Sequence, residues 1–216
     1  MRKVRTAILI SGSGSNMMAL VEAAKAAEFP AEIVCVISNN PDASGLAKAR
    51  AAGLETIAID HHPFGKDREA HEFQIQAALE KSEVELVVLA GYMRILTPFL
   101  VRAWAGRMLN IHPSLLPLYP GLHTHRRAIE AGDREAGVTV HLVTADLDAG
   151  PILGQARVPV LGGDTEETLA ARVLVEEHRL YPACLAKVAR ALQEDGYPPV
   201  GEAWPGAVGK HGGFLG

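Results

Sequence analysis

Four short and largely apolar runs, Arg5 to Ile10, Ile33 to Ile37, Glu55 to Ile59 and Val84 to Ala90, alternate with segments of helical character. No other feature restricts the fold as much. A strand that is apolar along its whole length has no face to give to water. It must be covered on both sides, as in a parallel sheet whose crossover helices lie on its two faces. The intervening stretches fit this pattern. Asn16 to Glu28 repeats Met17, Leu20, Val21 and Ala24 at helical spacing, and Ser44 to Ala52 is an Ala-rich helix stopped by Gly53. Residues from about Arg68 to Lys81 form a third helix. Thr97 and Pro98, as N-cap and first helical residue, open a fourth that runs to about Ala105.

Beyond this point the alternation changes. Met108 to His112 is a fifth apolar strand, Ser114 to Thr124 is a proline- and glycine-bearing loop, and His125 to Ala131 is a short helix. Val138 to Val143 and Gly154 to Val160 alternate as half-buried strands do, which pairs them antiparallel. Asp164-Thr165-Glu166-Glu167 then starts a long helix to about Leu192. These elements add up to an α/β fold with a mixed, mostly parallel sheet of about seven strands and helices on both faces. It occupies residues 1–194 as a single domain, with 195–216 as a tail lacking apolar periodicity.

At 216 residues, with 48% hydrophobic side chains, the chain can bury a sizeable core. Its formal net charge of −4, with no basic cluster longer than Arg126-Arg127, argues against a nucleic-acid partner. The sequence contains no apolar run of membrane-spanning length and no signal-peptide pattern, so a cytoplasmic location is expected. Cys35 and Cys184 lie in apolar surroundings without metal-ligand spacing and read as small buried hydrophobes.

The chemistry concentrates in three places. In Leu109-Asn110-Ile111-His112-Pro113, strand alternation directs Asn110 and His112 to one face, and Pro113 keeps His112 extended. An amide and an imidazole then stand together at a strand end, where open α/β sheets place their sites. Ser11-Gly12-Ser13-Gly14-Ser15, between a strand and a helix, suits a phosphate held by backbone N–H groups of Gly14, Ser15 and Asn16. Met17 stands where a dinucleotide fingerprint needs glycine, and no Gly-Lys-Ser/Thr follows. A monophosphate site remains, although a tight turn explains the glycines equally well. The Asp146 to Pro151 turn can bring a carboxylate back to His112, whose charged form it would favour. Tyr92 to Leu96 places apolar side chains in a loop, either lining a pocket for a flat ligand or tucked under the next helix. His61, His62, His71, His141 and His211 lack ligand-spaced partners and read as structural.

With these residues in view, the chain over roughly 4–192 resembles the phosphoribosylglycinamide formyltransferases, the folate-dependent formyl-transfer enzymes of purine biosynthesis. The motifs that carry the likeness are Ile8 to Asn16, Ala90-Gly91-Tyr92-Met93-Arg94-Ile95-Leu96, Asn110 to Pro117, Gly121-Leu122-His123-Thr124-His125, and Asp146-Leu147-Asp148-Ala149-Gly150-Pro151. The resemblance implies a Rossmann-like formyltransferase fold and a catalytic trio of Asn110, His112 and Asp148. It implies substrate phosphate on Gly14, Ser15 and Asn16, and a sugar-phosphate contact from Glu177. The folate would lie on Arg68, Met93, Arg94, Ile95, Leu96, Asn110, Thr144, Ala145, Asp146, Leu147 and Asp148. The implied ligands are glycinamide ribonucleotide and 10-formyltetrahydrofolate, with no metal, in a monomer or homodimer.

Rivals within the superfamily are methionyl-tRNA formyltransferases and formyltetrahydrofolate deformylases, which carry further domains for which this chain has no room. A deformylase-like enzyme or a non-catalytic phosphometabolite-binding protein is the alternative. The sensor would need the glycine turn but not the trio.

Overall fold

The computed structural model describes residues 2–195, so the tail from 196 onward and His211 lie outside the described residues. Its seven-stranded sheet has the order β3-β2-β1-β4-β5-β6-β7. The parallel part comprises β1 (Val4–Ile10), β2 (Ala31–Ser38), β3 (Glu55–Ala58), β4 (Leu86–Leu89) and β5 (Met108–His112). The last two strands, β6 (Glu135–Leu142) and β7 (Ile152–Pro159), run antiparallel to their neighbours. The α/β class and the mixed sheet are therefore as the apolar patterning indicates.

Two cores lie on opposite faces. One, around Ile8, Ile10, Val36, Val88, Leu109, Ile111, Val138, Val140 and Leu142, extends to α1 (Ser15–Ala24), α2 (Ser44–Ala51) and the buried stripe of α6 (Glu166–Asp195). The other packs Ala7, Leu9, Cys35, Ile37, Val87, Leu89 and Met108 beneath α3 (Arg68–Lys81) and α4 (Pro98–Ala103). Both cysteines are buried and free. The remaining helix, α5 (Thr124–Ala131), contributes Ala128 to the first core. No described helix is long and apolar enough to cross a membrane.

Local signals operate as their chemistry dictates. Thr97 accepts the Phe99 N–H at 3.3 Å as N-cap of α4, and Thr165 accepts that of Thr168 at 3.3 Å beside the start of α6. Several boundaries and one loop differ from the sequence pattern. The first helix ends at Ala24 rather than Glu28, because the chain must turn back to enter β2 at Ala31. A 3₁₀ turn at His62–Phe64, with Pro63 inside it, precedes α3. The sixth strand starts at Glu135, three residues early, since pairing with β7 carries weak strand formers such as Gly137 into the ladder.

Tyr181, fully buried on α6, donates its hydroxyl to Leu89 O at 2.8 Å and lies 3.3 Å from Leu109 O. This one group joins the long helix to β4 and β5 immediately before Asn110. Tyr181→Phe should therefore cost about 1–3 kcal/mol, because buried carbonyls lose their donor. Urea unfolding of the variant checks this, and a loss below about 0.5 kcal/mol would show that the hydroxyl is dispensable.

Candidate active site

The chain runs outward from β1 to β2 and β3, then returns to place β4 and β5 on the other side of β1. The carboxyl ends of β1 and β4 flank a topological switch point, where ligands bind in open α/β sheets. A cleft of about 260 Å³ opens there, lined by residues 11–16 with Ala90, Gly91 and Met93. Gly14 caps α1 in the left-handed conformation (φ 68°), and no side chain occupies the helix's first N–H groups. A Cβ at Gly14 would sit 3.2 Å from the Gly45 Cα, so the position needs glycine for its backbone angle and its space. Asn16 donates to Glu177 Oε2 at 2.6 Å, while its buried Oδ1 has no partner. Burial pushes the Glu177 carboxyl above the usual range, partly offset by that Asn16 hydrogen bond.

The loop after β4 is fixed from two sides. Ser11 Oγ accepts the Met93 N–H at 2.8 Å and donates to Asn39 Oδ1 at 2.5 Å. From α3, Arg68 donates to Ile95 O at 3.0 Å, and the buried Glu72 carboxylate accepts both the N–H (2.7 Å) and hydroxyl (2.5 Å) of Thr97. So braced, the loop leaves Met93 and Ile95 67% and 63% exposed, and Leu147 across the site is 59% exposed. Apolar side chains held out by rigid backbone offer a surface to a ligand. The Arg94, Leu96, Thr144, Ala145 and Asp146 positions lie in these same two segments, of which Thr144, Ala145 and Asp146 are exposed.

Asn110 and His112 share the sheet face of Met108, beyond the point where α3 and α4 cover it. The turn after β6 doubles back over this face. Asp148, with φ 53°, turns its carboxylate inward: Oδ2 accepts the Gly121 N–H at 2.9 Å and lies 3.5 Å from His112 Nδ1. The other ring nitrogen, Nε2, donates to Tyr119 O at 2.9 Å. The imidazole thus has an oxygen acceptor facing each nitrogen. The three residues singled out in the sequence meet in one cluster.

His141, read from the sequence as structural, also lies in this cluster. It pairs with Asn110 across the antiparallel β5–β6 ladder and alternates with the core-facing Val140 and Leu142, so its ring must face the site. Nδ1 donates to Leu142 O at 2.9 Å, which leaves Nε2 to accept the Asn110 amide N–H at 3.2 Å. Nε2 also lies 3.7 Å from Asp148 Oδ1. Burial holds the ring below the usual histidine value, against the opposing pull of the Leu142 hydrogen bond and Asp148. A sequence pattern without strand register has no signal for this placement. His61 and His62 likewise converge with Asp60, their ligating atoms all within 4.8 Å, although no helix or strand spacing predicts it.

Over residues 4–185 the chain matches the formyl transferase family, and it belongs to that family. The phosphoribosylglycinamide formyltransferase of Escherichia coli K12 is 48% identical over 179 residues, 83% of this chain and 84% of that protein. Among solved structures, the phosphoribosylglycinamide formyltransferase of Brucella melitensis is 58% identical with a TM-score of 0.83, covering 87% of this chain and 96% of its own. Glycinamide ribonucleotide transformylase 1 of Symbiobacterium toebii is 45% identical with a TM-score of 0.84, covering 87% and 88%.

The tautomer of His141 is open to direct measurement. At pH 7, ¹⁵N NMR should show a protonated Nδ1 and a bare Nε2; a protonated Nε2 would reverse the Asn110 amide. Burial also lowers His71 and His125, so all three rings resist protonation in the folded chain. The unfolded chain takes up those protons near pH 6.5, so their contribution to stability is present above that pH and lost as pH falls. The urea midpoint should therefore decrease from pH 7 to pH 5, and a flat or rising midpoint would contradict the burial.

Proposed function

We propose that this chain transfers the formyl group of 10-formyltetrahydrofolate to the amine of glycinamide ribonucleotide, the reaction of purine biosynthesis. The observation that carries the reading is the meeting of Asn110, His112 and Asp148 beside a glycine turn with free N–H donors. In this reading the nucleotide's phosphate lies on Gly14, Ser15 and Asn16, its sugar near Glu177, and the folate ring system against Met93 to Leu96 and residues 144–148. Arg68 acts through the loop: its guanidinium already holds Ile95 O.

The amine attacks the formyl carbon, a C–N bond forms, and the carbonyl oxygen becomes an oxyanion. Asn110 has two amide N–H groups. His141 takes one, and the other is free to donate to that oxygen. The His112 imidazolium supplies a charged donor. Its Nδ1 faces Asp148, so Nε2–H is the proton that can be redirected, and the Tyr119 carbonyl must give it up as substrate arrives. Collapse then breaks the bond to the folate N10. The attacking nitrogen sheds one proton and N10 gains one, leaving formylglycinamide ribonucleotide and tetrahydrofolate. Asp148 keeps the ring oriented and its positive charge paired.

The test is formyl transfer measured with glycinamide ribonucleotide and the formyl folate, against a control without the nucleotide. Product should require both substrates, whereas folate deformylation without nucleotide would favour the hydrolytic alternative. Asp148→Asn should lower kcat by about 10²- to 10⁴-fold with little change in either KM. Near-normal turnover would reduce the carboxylate to a turn residue.

A further inference from the structure

None of the residues lining the glycine-turn cleft carries a positive charge, and Glu177 beside Asn16 brings a carboxyl. A phosphate dianion in that cleft needs a cation. Lys48 stands one helical turn beyond Gly45, where α2 is fastened to the phosphate turn. The Gly45 N–H donates to Gly12 O at 3.0 Å, and a Cβ on Gly45 would lie 2.6 Å from Ile10 Cδ1 and 2.9 Å from Gly12 O, so only glycine permits this approach. The fastening aims Lys48 across the turn, where its Nζ donates to Ser13 O at 2.8 Å. A lysine in the last turn of a helix ordinarily serves its own helix's carbonyl end. Lys48 instead reaches another segment's carbonyl, while Arg50 of the same turn is engaged by Thr56 at 3.0 Å.

We propose that Lys48 is the cationic arm of the nucleotide site: its exposed ammonium exchanges the Ser13 carbonyl for a phosphate oxygen when the substrate binds. The proposal rests on the reading that the phosphate lies on Gly14 to Asn16. It adds to that backbone cradle the charge that the cradle lacks. The buried, unpartnered Asn16 Oδ1 at the same turn is a second sign that a ligand completes this site.

Steady-state kinetics on the full chain test it. Lys48→Met should raise KM for glycinamide ribonucleotide about tenfold, the scale of one charge-assisted hydrogen bond, with kcat changing much less and the folate KM unmoved. Lys48→Arg should retain most of the affinity. Added salt should weaken nucleotide binding more steeply in the parent than in Lys48→Met, since screening acts on the lost pair. An unchanged nucleotide KM in Lys48→Met, or equal increases for nucleotide and folate, would overturn the assignment. Gly14→Val separates the two levels. If it spares the nucleotide KM, the phosphate does not lie on the turn and the Lys48 role falls with that placement. If it raises the KM while Lys48→Met does not, only Lys48 is excluded.

Discussion

A single carboxylate organises the polar cluster at the end of β5. Asp148 sits in a left-handed backbone conformation that non-glycine residues adopt only at some energetic cost, and its side chain points inward. One oxygen is shared between the Gly121 N–H and the His112 ring, and the other faces His141. Three segments distant in sequence, the end of β5, the loop toward α5 and the turn after β6, are held in register by that group. Its side chain is only 6% exposed, so the charge is compensated locally rather than by water.

The reversal of strand direction at β6 makes this convergence available. An antiparallel neighbour places His141 directly opposite Asn110, and it lets the β6–β7 turn fold back over the face that α3 and α4 leave open. A sixth parallel strand would need a crossover helix, which would cover one face of the sheet. On the other side of the site, buried polar residues of α3 act as braces. His71 donates to Ile59 O at 2.9 Å and Glu72 accepts from Thr97, so the loops on either side of the helix are fixed by one rigid element. The apolar loop after β4 is thereby held in place.

Much of this could be read in the sequence because it is local. Apolar runs mark the strands, Thr97-Pro98 marks a helix start, and alternation with Pro113 places Asn110 and His112 together. The family motifs singled out Asp148, where the pattern alone gave a turn that could return a carboxylate to His112. What escaped was set by pairing between strands. His141 has no neighbour in sequence that reveals its position, since its partner Asn110 is reached only through the β5–β6 register. The Lys48–Ser13 contact escaped for a similar reason. The reach of Lys48 to the turn depends on how closely Gly45 lets α2 approach, and in sequence it is one more lysine on an exposed helix. The end of the first helix was misplaced because helix propensity in Ala26 to Glu28 yields to the turn the chain must make before β2.

The central claim is that His112 and Asp148 work as one unit, the carboxylate acting through the imidazolium. A double-mutant cycle tests it most directly: kcat for His112→Ala, Asp148→Asn and the double variant, measured from pH 5 to pH 9 at saturating nucleotide and formyl folate. If the residues are coupled, the double variant loses little more than His112→Ala alone, and Asp148→Asn alone shifts the pH profile. Losses that multiply, with an unshifted profile in Asp148→Asn, would show that the two act independently and would contradict the account.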